Sequence, residues 1–318
     1  MIAWMLLTVV VLVVSFVLLS PLESLTWWTR RGEREVRETF ALVRPGQTVA
    51  PSAAHYVVYL SGVGTVGGEL SRRERAWIDR LRERVPDVRV VDDVFPYAVN
   101  NRGLLQRTTA WLWSTLDGWR RGRWPLLLPL LIELRNIAQV LVSADPRYGP
   151  TFNIGLAQEI WRSLQRQGYA PGSGVRVTLI GFSGGAQMAL GAGWFLDRLG
   201  VPVDLVSVGG IFGDDPGLDR MGHVWHLVGS RDRLRHLGTV AFPGRWPTAP
   251  LSPYGRARRD GRLTEHVVGT MHHAGAAGYL GRRHFGPDGR SNAETTLDAV
   301  VALLEGHPPL PSAASGPQ

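Results

Sequence analysis

"VTLIGFSGGAQMAL", residues 177–190, runs from an apolar, β-branched segment through a turn of small residues into a second apolar segment. The first half predicts a buried strand and the second half a helix, with glycines around the turn between them. Gly181-Phe182-Ser183-Gly184-Gly185 fits the pattern G-x-S-x-G, which places a serine on a sharp strand-to-helix turn. The stretch therefore predicts a strand–turn–helix unit, the repeating element of a parallel α/β sheet.

Strands and helices alternate on both sides of this unit. The apolar patterns predict strands at residues 55–64 (with a tight glycine loop at the end), 88–98, 175–180, 203–210, 223–230 and 264–270. They predict helices at residues 71–85, about 153–167, 185–198 and 292–306, the first with Ser71 as its N-cap. This order predicts an α/β fold with a mostly parallel central sheet covered by helices on both faces, and such sheets bind ligands at the carboxyl ends of their strands.

The composition excludes several classes of site. The 318-residue chain has no cysteine, so it has no disulfide, no thiolate metal site and no cysteine nucleophile. Its net charge is +8, and every basic residue apart from histidine is arginine. The arginines are scattered and no nucleic-acid-binding motif accompanies them, so we expect no nucleic-acid partner. No metal cluster, phosphate loop or dinucleotide fingerprint is visible, and we predict no cofactor and no bound metal.

The N-terminal segment predicts attachment to a membrane. Residues 2–22 carry no charge, and this uncharged segment is long enough to span a bilayer as a helix. The segment lacks the basic start and the small-residue cleavage site of a signal peptide. Trp27 and Trp28 follow at the depth of an aromatic belt, and four arginines come next. We therefore predict a single-pass membrane protein. Counting the arginines favours a cytoplasmic side for the domain that follows the anchor.

The remaining boundaries follow from composition. Residues 1–24 are the predicted transmembrane anchor, 25–54 a juxtamembrane segment and linker, 55–306 one α/β domain, and 307–318 a disordered tail. About residues 100–150 interrupt the strand–helix order with a helix-prone insert rich in tryptophan and leucine. Two interpretations of the insert stay open: a lid that lies in the membrane interface and admits acyl chains, or a helical cap that buries its aromatic residues against the domain.

With these elements in place, residues 55–305, apart from the insert, resemble the α/β-hydrolase superfamily. The resemblance rests on the order of elements and on the G-x-S-x-G turn, and it implies a catalytic serine, acid and histidine in that chain order. Ser183 is the implied nucleophile. The implied acid is Asp232 in "HLVGSRDRL", with Asp214 and Asp215, one strand earlier, as alternatives. The implied fold is an α/β-hydrolase domain with a lid-like insert.

The implied base follows the last strand, in "HVVGTMHHAGAAGYLG". We favour His273, with His272 as the alternative and His284 as a more distant one. The oxyanion hole of the superfamily uses the backbone N–H after the nucleophile and one from an early loop. Here these belong to Gly184 and, in the "SGVG" loop, Val63. This sequence has Ser61-Gly62 where the superfamily usually has His-Gly, but only main-chain geometry is needed.

These observations together predict a membrane-anchored serine hydrolase of the esterase or lipase type. Its expected substrates are small-molecule or lipid-like carboxylic esters, and its expected further partners are membrane lipids, through the N-terminal helix and the insert. Peptidase, thioesterase and acyltransferase activities use the same triad and stay open as alternatives. So does a non-catalytic scaffold tethered to the membrane on the same fold.

Overall fold

In the computed structural model, residues 51–64, 69–97 and 127–306 are described. The predicted anchor at 1–24, most of the linker, residues 98–126 of the insert and the predicted tail at 307–318 lie outside these ranges, and their assignments stay predictions. Within the described ranges, no helix combines the length and the apolarity needed to cross a bilayer.

The core of the fold is a parallel sheet of six strands. The strands are β1 (His55–Leu60), β2 (Val88–Val91), β3 (Arg176–Phe182), β4 (Val203–Val208), β5 (Val224–Val228) and β6 (Leu263–Val267). Their order across the sheet is β2-β1-β3-β4-β5-β6, and every neighbouring pair is parallel. Parallel strands bring all their carboxyl ends to one edge, with the strand that precedes Ser183 near the middle. The predicted fold class is confirmed for the sheet.

Helices cover both faces of this sheet. They are α1 (Arg72–Arg84), α2 (Leu127–Ala144), α3 (Gly149–Arg166), α4 (Gly185–Arg198), α5 (Arg235–Ala241), α6 (Pro253–Arg259) and α7 (Asn292–Leu304). Alternate residues of each strand point to opposite faces. Tyr56 and Leu179 therefore belong to a core shared with residues of α3 and α4, whereas Val57 and Ile180 belong to a second core shared with α1 and α7. Burial on both faces explains why the strands are apolar throughout rather than alternating.

Two of the predicted helices, α1 and α7, begin with side-chain caps. Ser71 caps α1 in a capping box: its hydroxyl accepts the N–H of Glu74, and the Glu74 carboxylate accepts the N–H of Ser71. Ser291 and Glu294 repeat this arrangement at the start of α7. Such a cap is a local feature, so the sequence alone can specify it.

The second strand is shorter than the prediction of 88–98, because β2 ends at Val91. Asp92 and Asp93 follow and form ion pairs with Arg82 and Arg166, and Pro96 has no N–H for a strand ladder. Residues 92–97 therefore form a loop at the carboxyl edge of the sheet. Two short helices, α5 and α6, were also not predicted, because each spans only seven residues and has no clear period.

Candidate active site

The turn that carries Ser183 is strained. Ser183 has φ +53°, and it is the one residue other than glycine with positive φ in the described ranges. This left-handed conformation is uncommon for a residue with a Cβ and is often found at functional sites. The strain is held by main-chain bonds, because the Ser183 N–H donates to Val208 O at 3.1 Å and the Ser183 carbonyl accepts from Ile211 and Ala186 at 3.1 Å. The side chain is thereby held at the carboxyl edge of the sheet.

Glycines let strand and helix approach each other at this turn. A Cβ added at Gly181 would lie 2.5 Å from the Ala186 Cα, and one added at Gly185 would lie 2.4 Å from the Leu60 carbonyl oxygen. No real side chain tolerates such distances, so larger residues there would push α4 off the sheet. The pattern G-x-S-x-G is therefore a packing requirement here as well as a motif.

A chain of hydrogen bonds joins three side chains from the ends of three strands. Ser183 Oγ lies 2.8 Å from His273 Nε2, and His273 Nδ1 lies 2.9 Å from Asp232 Oδ2. An ionised carboxylate only accepts hydrogen bonds, so the Nδ1 atom carries the proton and Nε2 accepts the Ser183 hydroxyl. The structure thus brings together the three residues that the sequence singled out.

The Asp232 carboxylate is fully enclosed and receives further donors. The Tyr279 hydroxyl donates to Asp232 Oδ2 at 2.8 Å, and the Leu234 N–H donates to Oδ1 at 2.9 Å. Burial raises the pKa of the Asp232 carboxyl, but the bonds and charge from His273 and the bond from Tyr279 outweigh it, so the pKa lies below its ordinary value. Asp232 therefore stays ionised at neutral pH and holds the imidazole in one tautomer.

Tyr279 was not predicted to have a role, although it lies in the same stretch as His273. Its hydroxyl accepts the Gly229 N–H at 2.7 Å while donating to Asp232, so it ties the acid to the end of β5. Its ring also meets the His273 ring edge to face, with 6.4 Å between centroids. Phe182 stacks on the imidazole at 6.2 Å and itself meets the Tyr279 ring at 6.3 Å. These contacts fix the plane of the imidazole.

The alternative residues do not join this chain of bonds. Asp215 caps a short 3-10 helix, accepting from the Gly217 N–H and from Gln187 at 2.7 Å each. No hydrogen bond links Asp214 or Asp215 to a histidine in the part of the chain that the structure describes. His272 is exposed, and its backbone N–H donates to the Ala277 carbonyl. His284 is also exposed.

The two predicted oxyanion donors lie beside the nucleophile. Gly184 is the N-cap of α4, and its N–H points away from the helix as the first N–H groups of a helix do. The loop after β1 approaches it closely: a Cβ added at Gly62 would lie 3.1 Å from the Ser183 Cβ, and one added at Gly184 would lie 3.1 Å from a Val63 side-chain atom. Gly184 and Val63 therefore lie close to each other and to Ser183, and both stay candidate oxyanion donors.

Helix α2, in the described part of the insert, contacts the loops after β1 and β2 beside Ser183. The Asn136 side chain donates to the Val63 carbonyl at 2.6 Å, and the adjacent Arg135 donates to the Tyr97 carbonyl at 3.2 Å. The same helix places Val140 against Gly184. Two consecutive polar residues thus connect the insert to the loops after β1 and β2, a role that no sequence motif indicates. Among the described residues, no group of three His, Asp or Glu side chains is placed to hold a metal ion.

Beneath the site, His226 is a buried histidine held neutral. It lies on β5, is 1% exposed and shares a hydrogen bond with Ser207 at 3.0 Å. Burial, together with the positive charge of Arg245, lowers the pKa of His226 to about 3. Between pH ~6.5 and ~3, His226 is therefore protonated in the unfolded chain but neutral in the folded protein. The free energy of unfolding consequently decreases as the pH falls through this range.

We expect this histidine to steepen the loss of stability in acid. Between pH 7 and pH 5 the wild type should lose up to about 2 kcal/mol more of its unfolding free energy than His226→Gln, which cannot titrate. Urea unfolding at the two pH values measures the difference. His236→Gln, which removes an exposed histidine, should follow the wild type. Identical losses in wild type and His226→Gln would contradict the assignment.

The solved structures that this chain resembles include two distant hydrolases. A dienelactone hydrolase-like promiscuous phosphotriesterase from metagenomic libraries is 15% identical, with a TM-score of 0.44 over 82% of this chain and 89% of that chain. A dienelactone hydrolase from Anabaena variabilis is 16% identical, with a TM-score of 0.36 over 83% of this chain and 93% of that chain. No protein-family model and no curated protein matches the chain.

The sheet order and the strand–turn–helix geometry at Ser183, rather than these distant likenesses, identify the fold. At the level of the fold alone, the parallel sheet flanked by helices agrees with the predicted resemblance to the α/β-hydrolase superfamily.

Proposed function

We propose that this protein is a serine hydrolase that cleaves carboxylic esters through an acyl-enzyme. The observation that carries the proposal is the continuous chain Ser183–His273–Asp232, with bonds of 2.8 and 2.9 Å, at the carboxyl edge of the sheet. A serine hydroxyl alone is a weak nucleophile, and an imidazole oriented by a carboxylate supplies the base it needs. The strained backbone at Ser183 supports the same role.

In the proposed reaction, Ser183 Oγ attacks the ester carbonyl carbon while His273 Nε2 takes the hydroxyl proton. The carbonyl π electrons move to the oxygen, which the N–H groups of Gly184 and Val63 stabilise. Collapse of this intermediate expels the alcohol, which leaves with the proton from His273. Water then attacks the acyl carbon while His273 Nε2 takes a proton from it. Collapse of the second tetrahedral intermediate breaks the bond to Ser183 Oγ, releases the carboxylic acid, and returns the proton from His273 to Ser183. Asp232 stabilises the imidazolium at both stages and keeps its own negative charge.

The proposed substrates have an apolar acyl group. Ile137 and Leu141 lie one turn apart on α2 and are 44% and 54% exposed, on the helix that also packs Val140 against Gly184. Leu234, 41% exposed, lies next to the loop of the acid. Exposed apolar side chains on the helix that contacts Gly184, and beside the loop of Asp232, favour lipid-like esters over polar ones. Membrane attachment through residues 2–22, with the catalytic domain on the cytoplasmic side, is part of the proposal and agrees with such substrates.

A series of p-nitrophenyl esters from acetate to dodecanoate tests the substrate class. We expect kcat/KM to rise with chain length, by roughly threefold or more for each added methylene that the site buries. Ile137→Ser with Leu141→Ser should lower the rate on long esters while leaving acetate unchanged. Leu251→Ser, which removes an apolar side chain that is 74% exposed between α5 and α6, is the matched control. A preference for acetate would overturn the acyl-chain proposal, and equal turnover of a thioester or a peptide anilide would favour the other reaction types.

A further inference from the structure

Tyr97 has a buried hydroxyl that forms no hydrogen bond with the described residues. The side chain is 4% exposed and packs in the core, yet its hydroxyl has no hydrogen-bond partner in the described ranges. Burying a hydroxyl without a partner costs about 1–3 kcal/mol. A phenylalanine would fill the same space without that penalty, so stability does not explain the hydroxyl.

The position of this hydroxyl is specific. A Cβ added at Gly184 would lie 3.1 Å from the Tyr97 hydroxyl and equally 3.1 Å from Val63 Cγ1. The Tyr97 hydroxyl and the Val63 side chain therefore both lie against Gly184, the residue that follows the nucleophile. Arg135 fixes the Tyr97 main chain by donating to its carbonyl at 3.2 Å, and this bond holds the loop after β2 against α2.

The hydroxyl is a donor at neutral pH. Burial, with a smaller contribution from the negative charge of Glu74, raises the pKa of Tyr97 far above its ordinary value. The proton therefore stays on the phenolic oxygen throughout the range in which His273 could act as a base. A protonated phenol can donate a hydrogen bond to an oxyanion without giving up the proton.

We propose that the Tyr97 hydroxyl is a third oxyanion donor, acting with the N–H groups of Gly184 and Val63. This inference rests on the proposed esterase function. When Ser183 Oγ bonds to the carbonyl carbon, the π electron pair moves to the carbonyl oxygen, and that oxygen accepts the Tyr97 hydrogen bond. When the pair returns and the carbon–oxygen bond to the leaving group breaks, the proton for the alcohol comes from His273. Tyr97 keeps its own proton.

Tyr97→Phe tests the proposal on the full chain. We expect kcat on p-nitrophenyl esters to fall by about 100-fold, the usual effect of losing one oxyanion donor, with KM changed by less than about threefold. A trifluoromethyl ketone, which forms a tetrahedral adduct with a catalytic serine, should lose affinity by a similar factor. A mere packing defect would not weaken binding of the adduct selectively.

The melting temperature of Tyr97→Phe is a second readout. It would fall if the hydroxyl had a structural role. Tyr97→Phe removes an unpartnered hydroxyl, so its melting temperature should equal or exceed that of the wild type. Tyr169→Phe is the matched control. The Tyr169 hydroxyl donates to the Val175 carbonyl at 3.1 Å, before β3 and away from the carboxyl edge. This variant should melt slightly lower and keep full activity.

The outcomes separate this inference from the proposed function. If Tyr97→Phe had the kcat and the ketone affinity of the wild type while Ser183→Ala was inactive, the role of Tyr97 would be overturned. The proposed hydrolase function would stand. Wild-type activity in Ser183→Ala would overturn the proposed function itself. A Tyr97→Phe protein that melts well below the wild type would show that the hydroxyl stabilises the fold and would also count against the proposal.

Discussion

Ser183→Ala should lower kcat for ester hydrolysis by at least about 10⁴-fold, to the residual level that binding and oxyanion stabilisation alone provide. The variant lacks the atom that attacks the carbonyl carbon, so no acyl-enzyme forms. It keeps the Cβ and thus the packing of the turn, so its melting temperature should stay close to that of the wild type. The rate is measured with p-nitrophenyl butyrate. A mock purification from cells that lack the protein gives the background rate from contaminating esterases.

A fluorophosphonate probe gives the matching covalent test. It should label the wild type on Ser183 and leave Ser183→Ala unlabelled. Ser230→Ala is the control, because Ser230 lies exposed in the loop between β5 and Asp232 and no hydrogen bond of its hydroxyl is found in the described ranges. That variant should retain wild-type labelling and turnover. Label found on a different serine, or turnover surviving in Ser183→Ala, would show that the nucleophile lies elsewhere.

His273→Ala should be nearly as inactive as Ser183→Ala, whereas His272→Ala should keep most of its activity. The reason is geometric: His273 Nε2 lies 2.8 Å from Ser183 Oγ, and His272 is exposed to solvent. Without His273 no group can take the Ser183 proton or protonate the leaving alcohol. We expect a loss of about 10⁴-fold or more for His273→Ala and less than about threefold for His272→Ala.

The pair of adjacent histidines is a well-matched control because both changes remove the same atoms from the same loop. Circular dichroism and melting curves show whether either change disturbs the fold. If His272→Ala were the inactive variant and His273→Ala the active one, the hydrogen-bond chain described above would not be the catalytic one. Comparable losses in both would point to a loop that is disturbed as a whole.

Much of the architecture could be predicted because it depends on local pattern. The strand before Ser183 and the helix after it were predicted within two residues of their observed bounds, and Ser71 caps α1 as predicted. Burial on both faces makes such strands continuous apolar runs, and side-chain caps act within one helical turn. The predicted end of β2 was wrong, because an apolar residue such as Phe95 suits a buried loop as well as a strand.

The sequence by itself determined the order of strands and helices and, through that order, which loops could carry a serine, an acid and a histidine. Only the tertiary structure decided which member of each set meets the others. His272 and His273 follow the same strand, and only the path of the loop turns the second toward Ser183. Tyr279 is distant in sequence from Asp232, whose carboxylate it contacts, and Tyr97 is distant from Gly184, and neither pair matches a spacing rule. These contacts arise because parallel strands gather their carboxyl ends at one edge, where remote segments meet only in the folded chain.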